Sequence, residues 1–155
     1  MFAYGQTSAN AIAVMSYLAA VPERRVGSAQ IAEQRGISKA LTAKLLTQLA
    51  AAGLVDGQPG PNGGYTLAKE AEHISLWAIA SLFEQLDPPT LCAFGRGWCG
   101  KGDPCPLHDT IHAMVDSNRR FMEETRLSVF VGKEKTVTKF DEVHTRNESP
   151  TPNNL

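Results

Sequence analysis

A mainly α-helical fold with one small β-hairpin is what this sequence predicts, and three observations predict it. Apolar residues recur at helical spacing in several separate stretches. Two of these, "SAQIAEQRG" and "SKALTAKLLTQLAAAG", are short, led by serine and stopped by glycine. Directly after them, two extended stubs flank the glycine-rich loop of "DGQPGPNGGY". With 43% of its 155 residues hydrophobic and 20% charged, the chain can build a packed core. Its net charge of −1 gives no global attraction to nucleic acid or anionic membrane, so polyanion binding has to come from a local patch.

Taken in order, residues 8–20 place Ala11, Ile12, Val14, Met15 and Leu18 at helical spacing. No Lys or Arg precedes Arg24, so this start lacks the positive region of a signal peptide, and it is too short and interrupted to span a membrane. After the break "VPERRVG", Ser28 is expected to cap a short helix that Gly36 stops. Ser38 caps the next, in which Leu41, Leu45, Leu49 and Ala52 form one apolar stripe and Gly53 ends the helix. Two short helices joined through "RGIS" match a helix-turn-helix. The stubs 54–56 and 65–67 then make a hairpin, and Gly60, Gly63, Gly64 and Asn62 supply positions that tolerate positive φ. A hairpin in that place is the wing of a winged helix.

The stretch "ISLWAIASLFEQL" predicts a third apolar helix, with Trp77 and Phe83 in its core face. The last helix is expected to start near Pro106 and run about 25 residues. Leu107, Ile111, Met114, Asn118, Phe121 and Thr125 alternate by four and three along it, a heptad seam suited to a symmetric homodimer, with Asn118 fixing the register. The expected organisation is a winged-helix domain over 1–86, a cysteine-rich loop over 87–105, a dimerisation helix over 106–132 and a disordered tail over 133–155.

All three cysteines fall in "CAFGRGWCGKGDPC", with His108 three residues beyond the last. An odd count argues against a closed disulfide framework and for a cytoplasmic chain with reduced thiols. Cys92, Cys99, Cys105 and His108 make a four-ligand set for zinc or an iron–sulfur cluster. Zinc sites commonly take two ligands from Cys-x-x-Cys, which is absent here; the longer spacings of six and five residues suit a larger cluster. His73 and His112 read as surface or capping residues. No nucleophile–base pair or phosphate-binding loop points to an enzyme.

The order of helix-turn-helix, "GPNGGYTL" wing, apolar helix, cysteine triplet and long helix resembles the bacterial winged-helix regulators that include IscR and NsrR, over about residues 5–131. The resemblance implies a homodimer that presents two winged helices to a double-stranded DNA operator. It also implies a repressor whose bound cluster reports nitric oxide, redox state or iron. Cys92, Cys99 and Cys105 would be the cluster ligands, and His108 matches the fourth ligand of 2Fe–2S members. Some 4Fe–4S members use an acidic side chain on the partner's first helix; none precedes Glu23 here, which favours 2Fe–2S and leaves 4Fe–4S open. The first cysteine gap is one residue longer than the IscR pattern. The DNA surface would comprise Ser28, Ser38, Lys39, Thr42 and Lys44 of the two helices and Gln58, Asn62, Gly63 and Tyr65 of the wing. Where many relatives carry Arg before the wing glycines, this chain has Pro59. Residues 1–73 hold six Lys/Arg against five Asp/Glu, so non-specific DNA affinity is expected to be modest. Two other readings stay open: a DNA-binding protein with structural zinc or oxidant-sensing thiols, and a redox or electron-transfer protein.

Overall fold

The computed structural model describes residues 4–86, 94 and 103–137. The chain runs α1 (Gln6–Ala20), α2 (Ser28–Arg35), α3 (Lys39–Ala51), β1 (Val55–Gln58), β2 (Gly64–Leu67), α4 (Leu76–Ala80), α5 (His108–Glu124) and α6 (Glu134–Val137). Single 3₁₀ turns at Ala71–His73 and Leu127–Phe130 join the later helices. No helix among the described residues is long and apolar enough to cross a membrane.

Helix α1 is the centre of the packing: Ala11, Val14, Met15 and Leu18 are at most 1% exposed. It meets α2, β2, α4, α6 and the second 3₁₀ turn, so its wide apolar face is consumed on several sides. Its N-terminus is held by a residue from far along the chain. Both carboxylate oxygens of Glu84 accept from the Gly5 N–H at 2.8 Å, placing negative charge where the helix dipole favours it.

The helix-turn-helix forms for the local reasons read in the sequence. At the end of α2, Gly36 sits in the left-handed region at φ 61°. Ile37 N–H donates back to Ala32 O at 3.0 Å, closing a Schellman turn. Ser38 Oγ accepts from Leu41 N–H at 3.3 Å and starts α3. Leu45, Leu46 and Leu49 are fully buried, and each contributes about 1.5–3 kcal/mol by leaving water. Ser28 departs from expectation. It is the first residue inside α2, the cap position belongs to Gly27, and no side chain caps this helix.

Strands β1 and β2 pair antiparallel from Val55↔Leu67 to Gln58↔Gly64. Val26 joins β2 as an isolated bridge, exchanging two 2.9 Å backbone hydrogen bonds with Tyr65. Gly64, at φ 132°, is required there, because a Cβ would stand 2.9–3.0 Å from the Val26 backbone.

Three expected lengths change. The third apolar helix is helical only over Leu76–Ala80 and then turns, which lets Glu84 reach α1. The last helix begins at His108 rather than Pro106 and ends at Glu124, well short of residue 132. It stops because the next segment is taken by strand-like pairing: Leu76 N–H donates to Thr125 O at 3.0 Å and Leu127 N–H to Ile74 O at 2.9 Å. The chain after Gly132 is not patternless throughout, since Glu134–Val137 form a helical turn and Glu134 pairs with Arg24.

Candidate functional site

The exposed face of α3 carries Lys39 and Lys44, with Ser38 exposed at its N-terminus. Neither lysine makes an ion pair among the described residues. Ala40, Ala43, Thr47 and Gln48 complete this outer face, beyond the residues expected there. Their positions could have been found as the complement of the leucine stripe. Thr42 is a correction. It is 0% exposed, because 42, 45, 46 and 49 fall on one helical face, so its side chain lies in the core and not towards a partner. Ser28 is half-buried at the start of α2.

In the wing, Gln58 and Asn62 are exposed and Gly63 and Tyr65 half-buried. Gly60 and Gly64 have positive φ; Gly63 does not, and is needed instead because a Cβ there would overlap the Gln58 carbonyl oxygen. The ring of Tyr65 lies close over Gly57, so much of it serves the hairpin's own packing. Arg25, also unremarked in the sequence, pairs with Asp56 and donates to Gly64 O at 3.3 Å. Nothing local in the sequence announces that pair. Arg24 is committed to Glu134, and burial lowers the pKa of Arg35 from its usual value. The free cationic character of this surface therefore comes mainly from α3.

Of the four expected metal ligands, Cys92 and Cys99 lie outside the described residues. Cys105 is a half-buried free thiol, and His108 N–H donates to Cys105 O at 3.0 Å where α5 begins. Thiol and imidazole thus belong to one turn at a helix N-terminus, a fitting place for ligands of a cluster that carries net negative charge. The rings of His108 and His112 lie 4.3 Å apart. Among the described residues no three His, Cys, Asp or Glu gather into a metal-binding group.

Helix α5 connects this turn to the rest of the molecule. Arg119 stands 5.0 Å from the centroid of the Trp77 ring on α4 and bonds Glu123 at 2.9 Å. Ile111, Val115 and Asn118 are half-buried and Met122 is buried, an inner stripe one step round from the expected seam. Leu107, Met114 and Phe121 of that seam are 43%, 64% and 45% exposed. His73 is a surface residue beside Glu72, while Trp77 and Phe83 pack on the core, as expected.

A helix-turn-helix with a hairpin fixed against it defines a winged-helix DNA-binding protein. The family described as Rrf2, iron-dependent transcriptional regulator, matches residues 4–133, and the chain belongs to it. The HTH-type transcriptional regulator IscR of Cronobacter sakazakii is 31% identical over 123 residues, which cover 79% of this chain and 75% of that protein. IscR of Escherichia coli K12 is 30% identical over 119 residues, 77% of this chain and 73% of its own length. Among solved structures, CymR (YrzC), the global cysteine regulator of B. subtilis, superposes with a TM-score of 0.68 at 21% identity, covering 88% of this chain and 98% of CymR. IscR of T. potens gives 0.64 at 23% identity, with 85% of each chain covered. These two show that the fold is shared. The chain is an IscR-like helix-turn-helix transcription regulator whose partner is DNA.

Proposed function

We propose that the chain acts in the cytoplasm as a homodimeric repressor whose operator affinity is set by an iron–sulfur cluster held by Cys92, Cys99, Cys105 and His108. The observation that carries this reading is the turn that joins Cys105 to His108 at the start of α5. Cys105 and His108 thus lie at the root of the helix that packs on α4, which supports their joining the two other cysteines as a Cys3His set. When bound, the cluster supplies a redox-active, nitric-oxide-sensitive centre, of which 2Fe–2S is the favoured form and 4Fe–4S the other.

The chain's own part is mechanical. A tethered start of α5 fixes the angle at which Met122, Arg119 and Trp77 hold the helix on α4 and the core. Release of Cys105 and His108 frees that end and shifts the balance between two arrangements of α5 against the winged domain. A bias of about 1.5–3 kcal/mol changes operator affinity roughly ten- to hundredfold. The second subunit docks through Leu107, Met114 and Phe121, the side chains α5 leaves exposed.

Isolation without oxygen from iron-fed cells tests the ligand set. A 2Fe–2S centre gives about two irons and two sulfides per chain, with Mössbauer spectra of a Cys3His site that change in His108→Ala. Colourless protein with zinc and no sulfide removes the cluster. Sensing by thiols is a second reading, supported by Cys105 as a free, half-buried thiol beside a helix N-terminus. Metal-free protein whose DNA binding responds to peroxide and loses that response in Cys105→Ser would establish it.

A further inference from the structure

We propose that Arg25 is the positioning residue of the wing: clamped by Asp56, it sets the hairpin at the angle in which its tip meets DNA, and it does not itself donate to phosphate. This rests on the reading that the wing touches DNA. Arg25 sits in the loop between α1 and α2, and its guanidinium crosses both strands of the hairpin. One nitrogen pairs with the Asp56 carboxylate on β1; the other donates to Gly64 O on β2 at 3.3 Å and to Asp56 O at 3.4 Å. The next residue, Val26, is bonded to Tyr65 on both sides. Residues 25 and 26 therefore act together as a brace that joins the wing to the helix-turn-helix, and the planar fork of an arginine suits three acceptors spread over both strands.

Two further facts make position the wing's main resource. The tip, residues 57–64, contains no charged side chain. Its contacts to a groove must be short-ranged hydrogen bonds and backbone approach, which fail with small displacements. Asp56 is an anion on an element that meets a polyanion, and repulsion alone would disfavour it there. Its place is explained if the loss is outweighed by a hairpin held at one angle.

The sign of one substitution separates positioning from direct contact. The probe is a fluorescent duplex bearing the site that the wild-type protein selects from random-sequence DNA, read by anisotropy across a salt series. Failure to select any site would remove the DNA reading itself before the wing is tested. Asp56→Asn deletes a negative charge, yet it is expected to weaken specific binding about fivefold, with the salt slope unchanged. Arg25→Lys is expected to do the same, and the double variant to be no worse than either alone. Faster hydrogen exchange in β1 and β2, with α3 unchanged, reads the released hairpin without DNA and confirms that the variants fold. Equal or tighter binding by Asp56→Asn, or a slope steeper by about one, makes Arg25 a phosphate donor or an idle residue and overturns the proposal. Additive losses in the double variant overturn it as well.

Discussion

Helices α3 and α5 use their apolar residues in opposite ways. In α3, Leu45, Leu46 and Leu49 are fully buried, and the outer face is polar or alanine. In α5, only Met122 is fully buried, while Met114 and Phe121, and Leu107 at its N-cap, stand 43–64% exposed. One helix is finished by its own chain; the other has an apolar edge left over. The difference assigns them different work. A helix pinned on its inner face and polar outside can lie in a DNA groove as a rigid reader. A helix with an unfinished apolar edge gains from a second copy, which is why the proposed dimer is placed there.

The comparison breaks most severely at α3. Leu45→Ala opens a cavity in the apolar core, and is expected to cost about 2–5 kcal/mol in denaturant unfolding. A loss below about 1 kcal/mol would mean that α3 is held by something other than its leucine stripe. The same kind of change on α5 should act between molecules instead. Phe121→Glu is expected to raise the dissociation constant of the proposed dimer at least thirtyfold, to about that factor or more in sedimentation equilibrium. Its effect on unfolding of the separated chain should stay within about 0.5 kcal/mol. A wild-type chain that sediments as a monomer, or an unaltered dimer in the variant, would show that the edge has another purpose.

How much the sequence disclosed follows the same division. Gly36, Ser38 and Gly53 act through hydrogen bonds that span five residues or fewer, so the helix boundaries around the turn were legible, whereas the capping role of Ser28 and the outward place of Thr42 were misread. The wing was legible as a hairpin because its strands are joined by a short glycine-rich turn, with Gly63 N–H donating to Gly60 O at 2.9 Å. What was not legible depends on partners distant in sequence. Helix α5 ends at Glu124 because residues 125–127 pair with 74–76, and no local period records that pairing. Glu84 leaves its helix to reach Gly5, 79 residues away, and Arg25 finds Asp56 across 31 residues. The inner stripe of α5, Ile111, Val115, Asn118 and Met122, was not legible beside the expected seam, with which it shares Ile111 and Asn118. Of the proposed cluster ligands, only Cys105 and His108 fall within the described residues, and their neighbourhood follows from three residues of chain.

The smallest expected effect lies inside α3, at a buried polar group. Thr42 is 0% exposed and its hydroxyl oxygen has no hydrogen-bond partner among the described residues. A buried hydroxyl without a partner forfeits its hydration and gains nothing in return. Valine has nearly the same shape and presents a methyl group in that place, so Thr42→Val is expected to stabilise the chain by about 1 kcal/mol in denaturant unfolding. Its operator affinity and salt dependence should be unchanged, because the side chain points away from the outer face. Lys44→Ala, two residues further along the same helix, should instead leave stability alone and reduce the salt slope by about one. If Thr42→Val weakened DNA binding as Lys44→Ala does, residue 42 would belong to the reading surface after all, and α3 could not be the helix finished by its own chain that the contrast with α5 requires.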